Sequence, residues 1–328
     1  MFLKKYYLKI LLMLFSAIIT FVSLEVGVRL LEYKSSEIPF TLNINDYKDD
    51  VLGWKGKMIF GSLETVKRKI FIIGDSFTDG NGVSEEDMYY SKIKNSLDVE
   101  LFIYGGIGYG TLQELLVLER YINSVNPDLI LIQITSNDII NNNVELERRS
   151  IHNNLLLRPY YIRSRVQMLY PSTLGLTRYY LTLHSRLLQR IFEKTDTIRS
   201  TLVDKQIIRT IDTDINEKGS SMQEYKNAVE ITDILISKII SIAGNVPVLF
   251  MPAVPYEPYY SALKHIVEKR NGYWIEEPLI NITDRIMNGE NVLQDDGCHW
   301  NELGHKYVGE VLSNKLIDYN LIPDVTSP

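Results

Sequence analysis

Three short apolar runs, separated by two stretches of helical character, constrain the fold more than any other feature of this chain. The runs cover residues 70–73, 99–103 and 129–134, and the last shows no alternation of apolar and polar positions. Such a run is typical of a strand that is buried on both faces of a sheet. The order strand, helix, strand, helix, strand therefore predicts an α/β fold, a doubly wound parallel sheet flanked by helices.

Each apolar run ends in a polar or glycine-rich turn. The first ends in Gly74-Asp75-Ser76, the second is followed by the glycine-rich segment around Gly108, and the third ends in Thr135-Ser136-Asn137-Asp138. Because the carboxyl ends of parallel strands share one edge of a sheet, we expect Ser76, Gly108 and Asn137 to converge. A Gly-Asp-Ser triplet alone is weak support for a catalytic serine, since it also forms ordinary turns.

A second polar group stands near the end of the chain, in Asp296-Gly297-Cys298-His299. Asn301 is predicted to cap a final helix, which leaves His299 in the loop just before it. An acid three residues before a histidine can accept its Nδ1 proton and leave the other ring nitrogen to take a proton from a serine. Asp-x-x-His pairs are common and mostly structural, so this pair gains meaning only together with Ser76.

These four stretches, in this order, resemble the sequence blocks of the SGNH hydrolases, also called the GDSL family. Gly74-Asp75-Ser76 resembles block I, Gly108 the block II glycine, Asn137 the block III asparagine, and Asp296 to His299 block V. The resemblance covers about residues 50 to 318. It implies that Ser76 is the nucleophile, His299 the general base and Asp296 the group that orients His299. It also implies an oxyanion hole made of the Ser76 and Gly108 backbone N–H groups and the Asn137 side chain.

Two positions depart from the family pattern. Thr135 stands where block III usually has a glycine, and Ile103 stands where block II members often have an asparagine. Neither residue is expected to attack or to donate a hydrogen bond to the substrate. Both flank the predicted oxyanion loops, so they bear on the geometry of those loops.

The N-terminus carries a basic flank, with lysines at positions 4, 5 and 9, followed by an apolar run over residues 10–24. A cleaved signal peptide and an uncleaved anchor both fit this pattern. No small-x-small cleavage site follows, and helical periodicity continues past Glu25 and Arg29, which favours an anchor. We predict a single-pass membrane helix over residues 1–33 with the rest extracytoplasmic, as in the membrane-anchored bacterial members that the chain resembles. The alternative is secretion after cleavage.

The remaining chain is predicted to comprise a spacer (34–50), the hydrolase-like domain (51–320) with a helical insertion (145–222), and a tail (321–328). Within the insertion, residues 150–192 contain no acid but several arginines and interleaved tyrosines. One interpretation is a helical insertion with a solvated basic face. The other is a lid that meets anionic lipid head groups or an acidic glycan.

Composition excludes several other classes of function. The formal net charge of -6 argues against a nucleic-acid partner. The single cysteine, Cys298, excludes an intrachain disulfide and is interpreted as a packed small side chain. His305 is interpreted as a packing or helix-surface residue. No His/Cys cluster has metal-ligand spacing, so neither a metal nor a cofactor is predicted. The sequence leaves the substrate-binding residues and the oligomeric state open.

The predicted function is a serine esterase or deacylase that acts on an ester, such as an O-acetyl group on a glycan, or a lipid. An O-acyltransferase acting on an envelope polysaccharide is the alternative, because it would use the same acyl-serine intermediate. A non-catalytic glycan-binding module of the cell envelope is the third hypothesis, motivated by Thr135 and by the basic insertion.

Overall fold

The computed structural model describes residues 2–35, 48–80, 82–150, 157–171, 173–204 and 209–322. The chain forms two compact units. The N-terminal unit joins Met1–Lys48 with Ser172–Arg209, and the sheet unit joins Asp49–Pro171 with Thr210–Pro328. Most of the predicted spacer and most of the predicted tail lie outside the described residues.

The strands, numbered along the chain, are β1 Lys48–Asp49, β2 Gly53–Trp54, β3 Lys57–Phe60, β4 Arg68–Gly74, β5 Val99–Gly105, β6 Leu129–Ile134, β7 Arg158–Ile162, β8 Arg165–Leu169, β9 Val248–Pro252 and β10 Tyr273–Trp274. The helices are α1 Phe2–Ser35, α2 Ser76–Asp79, α3 Tyr89–Ser96, α4 Thr111–Val125, α5 Asn137–Asn141, α6 Val144–Glu147, α7 Thr173–His184, α8 Arg186–Asp204, α9 Ile211–Lys218, α10 Gln223–Ala243, α11 Tyr259–Lys269, α12 Glu277–Met287 and α13 Glu302–Asp318.

One six-stranded sheet organises the sheet unit, in the order β10-β9-β6-β4-β5-β3. Neighbouring strands are parallel except at the edge, where β3 runs antiparallel to β5. Strand β4 lies between β5 and β6, with Ile72 opposite Ile103 on one side and Leu131 on the other. The doubly wound parallel sheet predicted from the sequence is confirmed, and the antiparallel edge strand β3 is an addition that the sequence did not predict.

Two apolar layers cover the two faces of this sheet. Phe71 and Ile73 of β4 pack into a layer that includes buried residues of α4, α10 and α11. Ile70 and Ile72 pack into the opposite layer, with buried residues of α3, α12 and α13. Successive side chains of a strand point to opposite faces, so a continuous apolar run supplies both layers. Each such side chain contributes about 1.5–3 kcal/mol when fully buried.

Two hydroxyl residues near the starts of helical segments, Ser84 and Thr111, do not cap them. Ser84 precedes a 3₁₀ turn, Glu85–Asp87, and its hydroxyl donates to the Asp87 carboxylate at 2.8 Å instead of capping the backbone. Thr111 is the first residue of α4, after the N-cap residue Gly110, and its hydroxyl donates to the Asp138 side chain at 2.9 Å. In both places the hydroxyl donates to an acidic side chain instead of accepting a backbone N–H at the start of the helix.

The segment 145–222 contains helices α7, α8 and α9, and also a β-hairpin that the sequence did not predict. Strands β7 and β8 pair antiparallel, with Tyr160 opposite Gln167. Arg163 and Arg165 in the hairpin are exposed, but Arg158 is buried. The basic character of this segment therefore does not belong to a single solvated face.

The N-terminal unit consists of α1, α7 and α8. Within α1, the stretch Lys9–Leu31 is long and apolar enough to cross a membrane, and its residues are exposed except at positions 25 and 27–29, which are partly covered. A membrane anchor and a signal sequence both have this character.

His305 of α13 is buried at 1 % exposure, which agrees with the packing role predicted for it. Its ring stacks on Tyr89, with ring centroids 6.0 Å apart, and meets Trp300 edge-on. Its Nδ1 atom has no hydrogen-bond partner among the described residues. Burial without a partner disfavours the charged ring and lowers the pKa of His305 from 6.5 to about 3.

We expect this burial to make the protein acid-labile. Between about pH 6.5 and pH 3 the unfolded chain binds a proton at His305 that the folded chain does not, so stability falls as the pH falls. The expected loss at about pH 5 is roughly 2 kcal/mol. His305→Phe keeps the ring packing and should flatten this pH dependence in urea unfolding. His265→Phe, on α11, is the matched control, and an equal flattening in that variant would contradict the assignment to His305.

Candidate active site

Ser76 lies where the central strand of the sheet meets a short helix. Strand β4 ends at Gly74, and Asp75 caps α2 by accepting the Phe77 backbone N–H at 3.0 Å. Ser76 is the first residue of α2. The serine hydroxyl therefore stands at the carboxyl end of the central strand, as the sequence predicted.

His299 and Asp296 come to Ser76 from the loop before α13. The Nε2 atom of His299 lies 2.8 Å from Ser76 Oγ, and its Nδ1 atom lies 2.6 Å from Asp296 Oδ2. Asp296 Oδ1 accepts the backbone N–H groups of Cys298 and His299 at 2.9 and 3.0 Å. These contacts fix a serine, an imidazole and a carboxylate in one hydrogen-bonded line.

The Asp296 carboxyl group is kept ionised by its hydrogen bonds. Partial burial alone would raise its pKa, but the N–H donors of Cys298 and His299 and the His299 ring outweigh that effect and lower the pKa of Asp296 below its usual value. An ionised Asp296 holds the proton of His299 on Nδ1. The Nε2 lone pair is then directed at the Ser76 hydroxyl.

Apolar rings support this loop. The Phe77 ring packs on the His299 ring at 4.8 Å between centroids, and on Trp300 at 4.7 Å. On the other side, the Tyr256 hydroxyl interacts with the Cys298 thiol, and burial raises the pKa of that thiol. The aromatic loop after β9 therefore reaches the residue beside His299.

Gly108 lies in the loop after β5. Its φ of +73° is in the left-handed region, where side chains with a Cβ are rarely found. Its carbonyl oxygen accepts from Asn141 Nδ2 at 3.2 Å and from Arg158 Nη2 at 3.0 Å. Both neighbours therefore hold the Gly108 peptide in a defined orientation.

Asn137 is the first residue of α5, just after β6. Its Nδ2 atom donates to the Tyr109 carbonyl at 3.2 Å, and its Oδ1 atom contacts the Thr135 hydroxyl. Thr135 Oγ1 also lies 2.7 Å from Asp75 Oδ2. Thr135 thus joins the residue before Ser76 to the side chain of Asn137.

The loops that follow the three neighbouring strands are tied together directly. The Gly106 N–H donates to the Gly74 carbonyl at 3.0 Å, which joins the loop after β5 to the end of β4. The contact between Thr135 and Asp75 joins the loop after β6 to β4 in the same way. Ser76, Gly108 and Asn137 therefore lie on adjacent loops at one edge of the sheet.

Three buried acids lie behind these loops, and sequence reasoning assigned them no role. Burial raises the pKa of Asp75, and burial together with the nearby Asp75 raises that of Asp138 to about 8. Burial also raises the pKa of Glu114 well above its usual value, and neither of its oxygens has a hydrogen-bond partner among the described residues. Burial penalises the charged form of each of these carboxyl groups and so favours its protonated form.

Gln133 is a further supporting residue that the sequence analysis missed. Its Oε1 atom accepts from the Thr78 hydroxyl at 2.9 Å and from the Asp75 N–H at 3.2 Å. It is the polar residue of the otherwise apolar strand β6, and that irregularity was the signal available in the sequence. A buried polar group in a strand needs a partner, and here its partners lie in the turn that carries Ser76.

Arg158 forms a buried network beside Gly108. Its Nη1 atom pairs with Glu147 Oε1 at 2.9 Å, and the two side chains are 1 % and 0 % exposed. Its Nη2 atom donates to Gln113 Oε1 at 2.6 Å as well as to Gly108. Tyr160 donates to the other Glu147 oxygen at 2.7 Å. The hairpin of the insertion thus supplies the cation that fixes the Gly108 loop.

We expect Arg158→Met to lower the free energy of unfolding by about 3–5 kcal/mol, because it leaves Glu147 buried without its cation. Urea unfolding of the full chain in detergent measures this change. The double variant with Glu147→Gln should recover part of the loss. Arg165→Met, at an exposed position of the same hairpin, should change stability by less than about 0.5 kcal/mol. A loss equal to that of Arg158→Met in this control would contradict the assignment.

Among the residues that the structure describes, no group of three or more His, Cys, Asp and Glu side chains is arranged to hold a metal ion.

Comparison with known proteins identifies the family. The model of the GDSL-like lipase/acylhydrolase family matches residues 70–312. No curated protein matches the chain. Solved structures with a similar fold include the esterase EstA from Pseudoalteromonas sp., which is 12% identical with a TM-score of 0.44, covering 77% of this chain and 98% of that one. A family 3 carbohydrate esterase of Clostridium thermocellum is 16% identical with a TM-score of 0.42, covering 77% and 96%. The acetylxylan esterase Axe2 from Geobacillus stearothermophilus is 12% identical with a TM-score of 0.41, covering 76% and 94%.

The family model spans most of the chain and includes both Ser76 and the loop that carries His299. The resemblance drawn from the four sequence stretches is therefore confirmed: this chain belongs to the family of GDSL-like lipases and acylhydrolases.

Proposed function

We propose that this protein is a serine esterase in which Ser76, His299 and Asp296 form the catalytic triad. The observation that carries the proposal is the 2.8 Å contact between His299 Nε2 and Ser76 Oγ, in a ring whose other nitrogen is held by Asp296. A base within hydrogen-bond reach of a hydroxyl, and itself oriented by a third group, is the arrangement that activates a serine.

In the first half-reaction, Ser76 Oγ attacks the carbonyl carbon of the ester while its proton passes to His299 Nε2. The tetrahedral intermediate then expels the alcohol, which takes that proton from His299 as the ester bond breaks. In the second half-reaction, water attacks the acyl-Ser76 carbonyl and gives its proton to His299. Collapse of that intermediate returns the proton to Ser76 and releases the acid.

The negative charge that develops on the carbonyl oxygen needs donors. We assign this role to the backbone N–H groups of Ser76 and Gly108 and to the Asn137 side-chain amide. The left-handed turn at Gly108 and the contacts of its carbonyl oxygen support this assignment, because they fix the loop before substrate binds. Preorganised donors of this kind stabilise the transition state without rearranging during the reaction.

We further propose that α1 anchors the enzyme in the membrane with its catalytic residues outside the cytoplasm. The lysine-rich start of the chain and the exposed apolar stretch of α1 support this orientation. A membrane tether keeps the enzyme close to lipid esters and acylated glycans, and hydrolysis of these two substrate classes should be compared.

The test uses the full chain in detergent, with p-nitrophenyl acetate as substrate and a fluorophosphonate as the serine-directed probe. We expect hydrolysis, and we expect peptide mapping to find the phosphonyl group on Ser76. Hydrolysis with the probe on another serine would contradict the assignment of the nucleophile. A labelled Ser76 that releases no free acetate but transfers the acetyl group to the hydroxyl of an added sugar acceptor would contradict hydrolysis and favour the acyltransferase.

A further inference from the structure

Glu25 is an acidic residue inside the apolar stretch Lys9–Leu31 of α1. A carboxylate in the hydrocarbon layer is costly and needs partners there. Its side chain is only 14% exposed, whereas its neighbours Leu24 and Val26 are 53% and 50% exposed. Glu25 therefore faces protein, while the residues on either side of it point outwards.

The partners of Glu25 come from its own helix and from the junction between α7 and α8. Oε1 accepts from Arg29 Nε at 2.6 Å and from the Arg186 backbone N–H at 2.9 Å. Oε2 accepts from the Ser185 hydroxyl at 2.7 Å and from the Leu187 N–H at 2.9 Å. Each carboxylate oxygen thus accepts two hydrogen bonds.

These contacts complete the start of α8. The first N–H groups of a helix have no partner within the helix. In α8 the Leu188 N–H is capped by Ser185 Oγ at 3.1 Å, and the two N–H groups before it are capped by Glu25. The cap is therefore shared between α8 and α1, and it fixes the hairpin α7–α8 (residues 173–204) at the level of Glu25.

The level of Glu25 can be read from the helix geometry. Glu25 lies six residues before Leu31, which is about 9 Å along the axis. The stretch of 23 residues is about 34 Å long, close to the roughly 30 Å of a hydrocarbon core. If α1 spans the membrane, Glu25 and the turn at Ser185 that it binds lie just inside the outer boundary of the hydrocarbon core.

We propose that the hairpin α7–α8 docks on the outward end of α1 and lies in the interfacial layer of the bilayer, held there by Glu25. The proposal rests on the membrane anchoring proposed above. It also requires that α1 stays attached to the mature chain, because the folded hairpin uses Glu25 as its cap.

The surface of the hairpin fits a lipid interface. Where the structure describes side-chain burial in the hairpin, the exposed apolar residues are Tyr180, Leu181, Ile191 and Ile198. Basic residues recur at every fourth position of α8, at Arg186, Arg190 and Lys194, which places them along one side of the helix. Apolar anchors beside a row of cations are typical of helices that lie on anionic membranes. The partner is therefore an anionic lipid surface.

The depth of the hairpin tests the proposal. The fluorophore bimane is attached to one introduced cysteine, Leu181→Cys, Ile191→Cys or Phe15→Cys, in a full chain that also carries Cys298→Ser. Each labelled chain is reconstituted in bilayers of phosphatidylglycerol and phosphatidylcholine whose acyl chains are brominated. We expect bromine to quench all three positions. Quenching at Phe15→Cys alone would overturn the docking proposal and leave the anchor intact. No quenching at Phe15→Cys would overturn the anchor itself, and neither result would bear on ester hydrolysis.

Trypsin cleavage after the α8 cations tests the role of Glu25 in the same bilayers. We expect Glu25→Ala to speed this cleavage by about tenfold, because it uncaps α8 and lets the hairpin open. Leu24→Ala changes the adjacent exposed residue and should leave the rate unchanged. Equal cleavage rates in Glu25→Ala and wild type would overturn the role of Glu25. An intact-mass measurement showing that the mature chain lacks its first 24 residues would overturn it as well.

Discussion

Replacing Ser76 with alanine is expected to lower kcat/KM for p-nitrophenyl acetate by about four orders of magnitude. His299→Ala should cause a loss of similar size, because the hydroxyl and its base act as one unit across the 2.8 Å contact. The double variant should be no worse than either single variant, since removing one partner already disables the other. Initial rates at several substrate concentrations measure all three.

Asp296→Asn provides the graded control for this expectation. An amide can still hold the ring of His299 but no longer favours the tautomer that leaves Nε2 free for Ser76, so kcat falls while KM stays near that of wild type. Ser91→Ala, on α3, removes a serine hydroxyl elsewhere and should leave both constants unchanged. Additive losses in the Ser76 and His299 double variant would contradict a shared catalytic unit.

The sequence predicted those parts of the fold that depend on local pattern. The apolar runs that form β4, β5 and β6 each supply side chains to both faces of the sheet. A strand buried on both faces is recognisable in sequence because apolar and polar residues do not alternate along it. The stretches that carry the proposed triad were equally visible, because Ser76 and the Asp296–His299 pair each lie within a recognisable sequence block. Edge strand β3 escaped prediction because four residues paired on one side only leave no such pattern.

The supporting residues of the site could not be predicted, because their roles depend on partners far along the chain. Arg158 was grouped with other arginines by charge, yet its partners Gly108 and Gln113 lie about 50 positions earlier. Thr135 was recorded as a departure from the family glycine, and only the structure shows that its hydroxyl reaches Asp75, which is 60 positions away. A local pattern gives the type of a residue, whereas burial and long-range pairing decide its role.

Thr135 has a defined part in this site because its hydroxyl contacts two of the site's side chains. Thr135 Oγ1 donates to Asp75 Oδ2 at 2.7 Å and also contacts Asn137 Oδ1. Burial raises the pKa of Asp75, and the hydrogen bond from Thr135 opposes part of that rise. With Oδ1 in contact with Thr135, the Asn137 amide donates through Nδ2 to the Tyr109 carbonyl at 3.2 Å.

Asn137→Ala is accordingly expected to lower kcat by about a hundred- to a thousandfold with little change in KM, because it removes a donor that acts on the transition state. Thr135→Val keeps the shape of the side chain and removes only the hydroxyl that orients Asn137, so we expect a smaller loss in kcat, of about tenfold. Thr65→Val, in the exposed turn before β4, is the matched control and should behave as wild type. If Asn137 acts only through its donor and Thr135 only through Asn137, Thr135→Val should cost nothing further in the Asn137→Ala background. A further tenfold loss in that double variant would contradict the relay and give Thr135 a separate role.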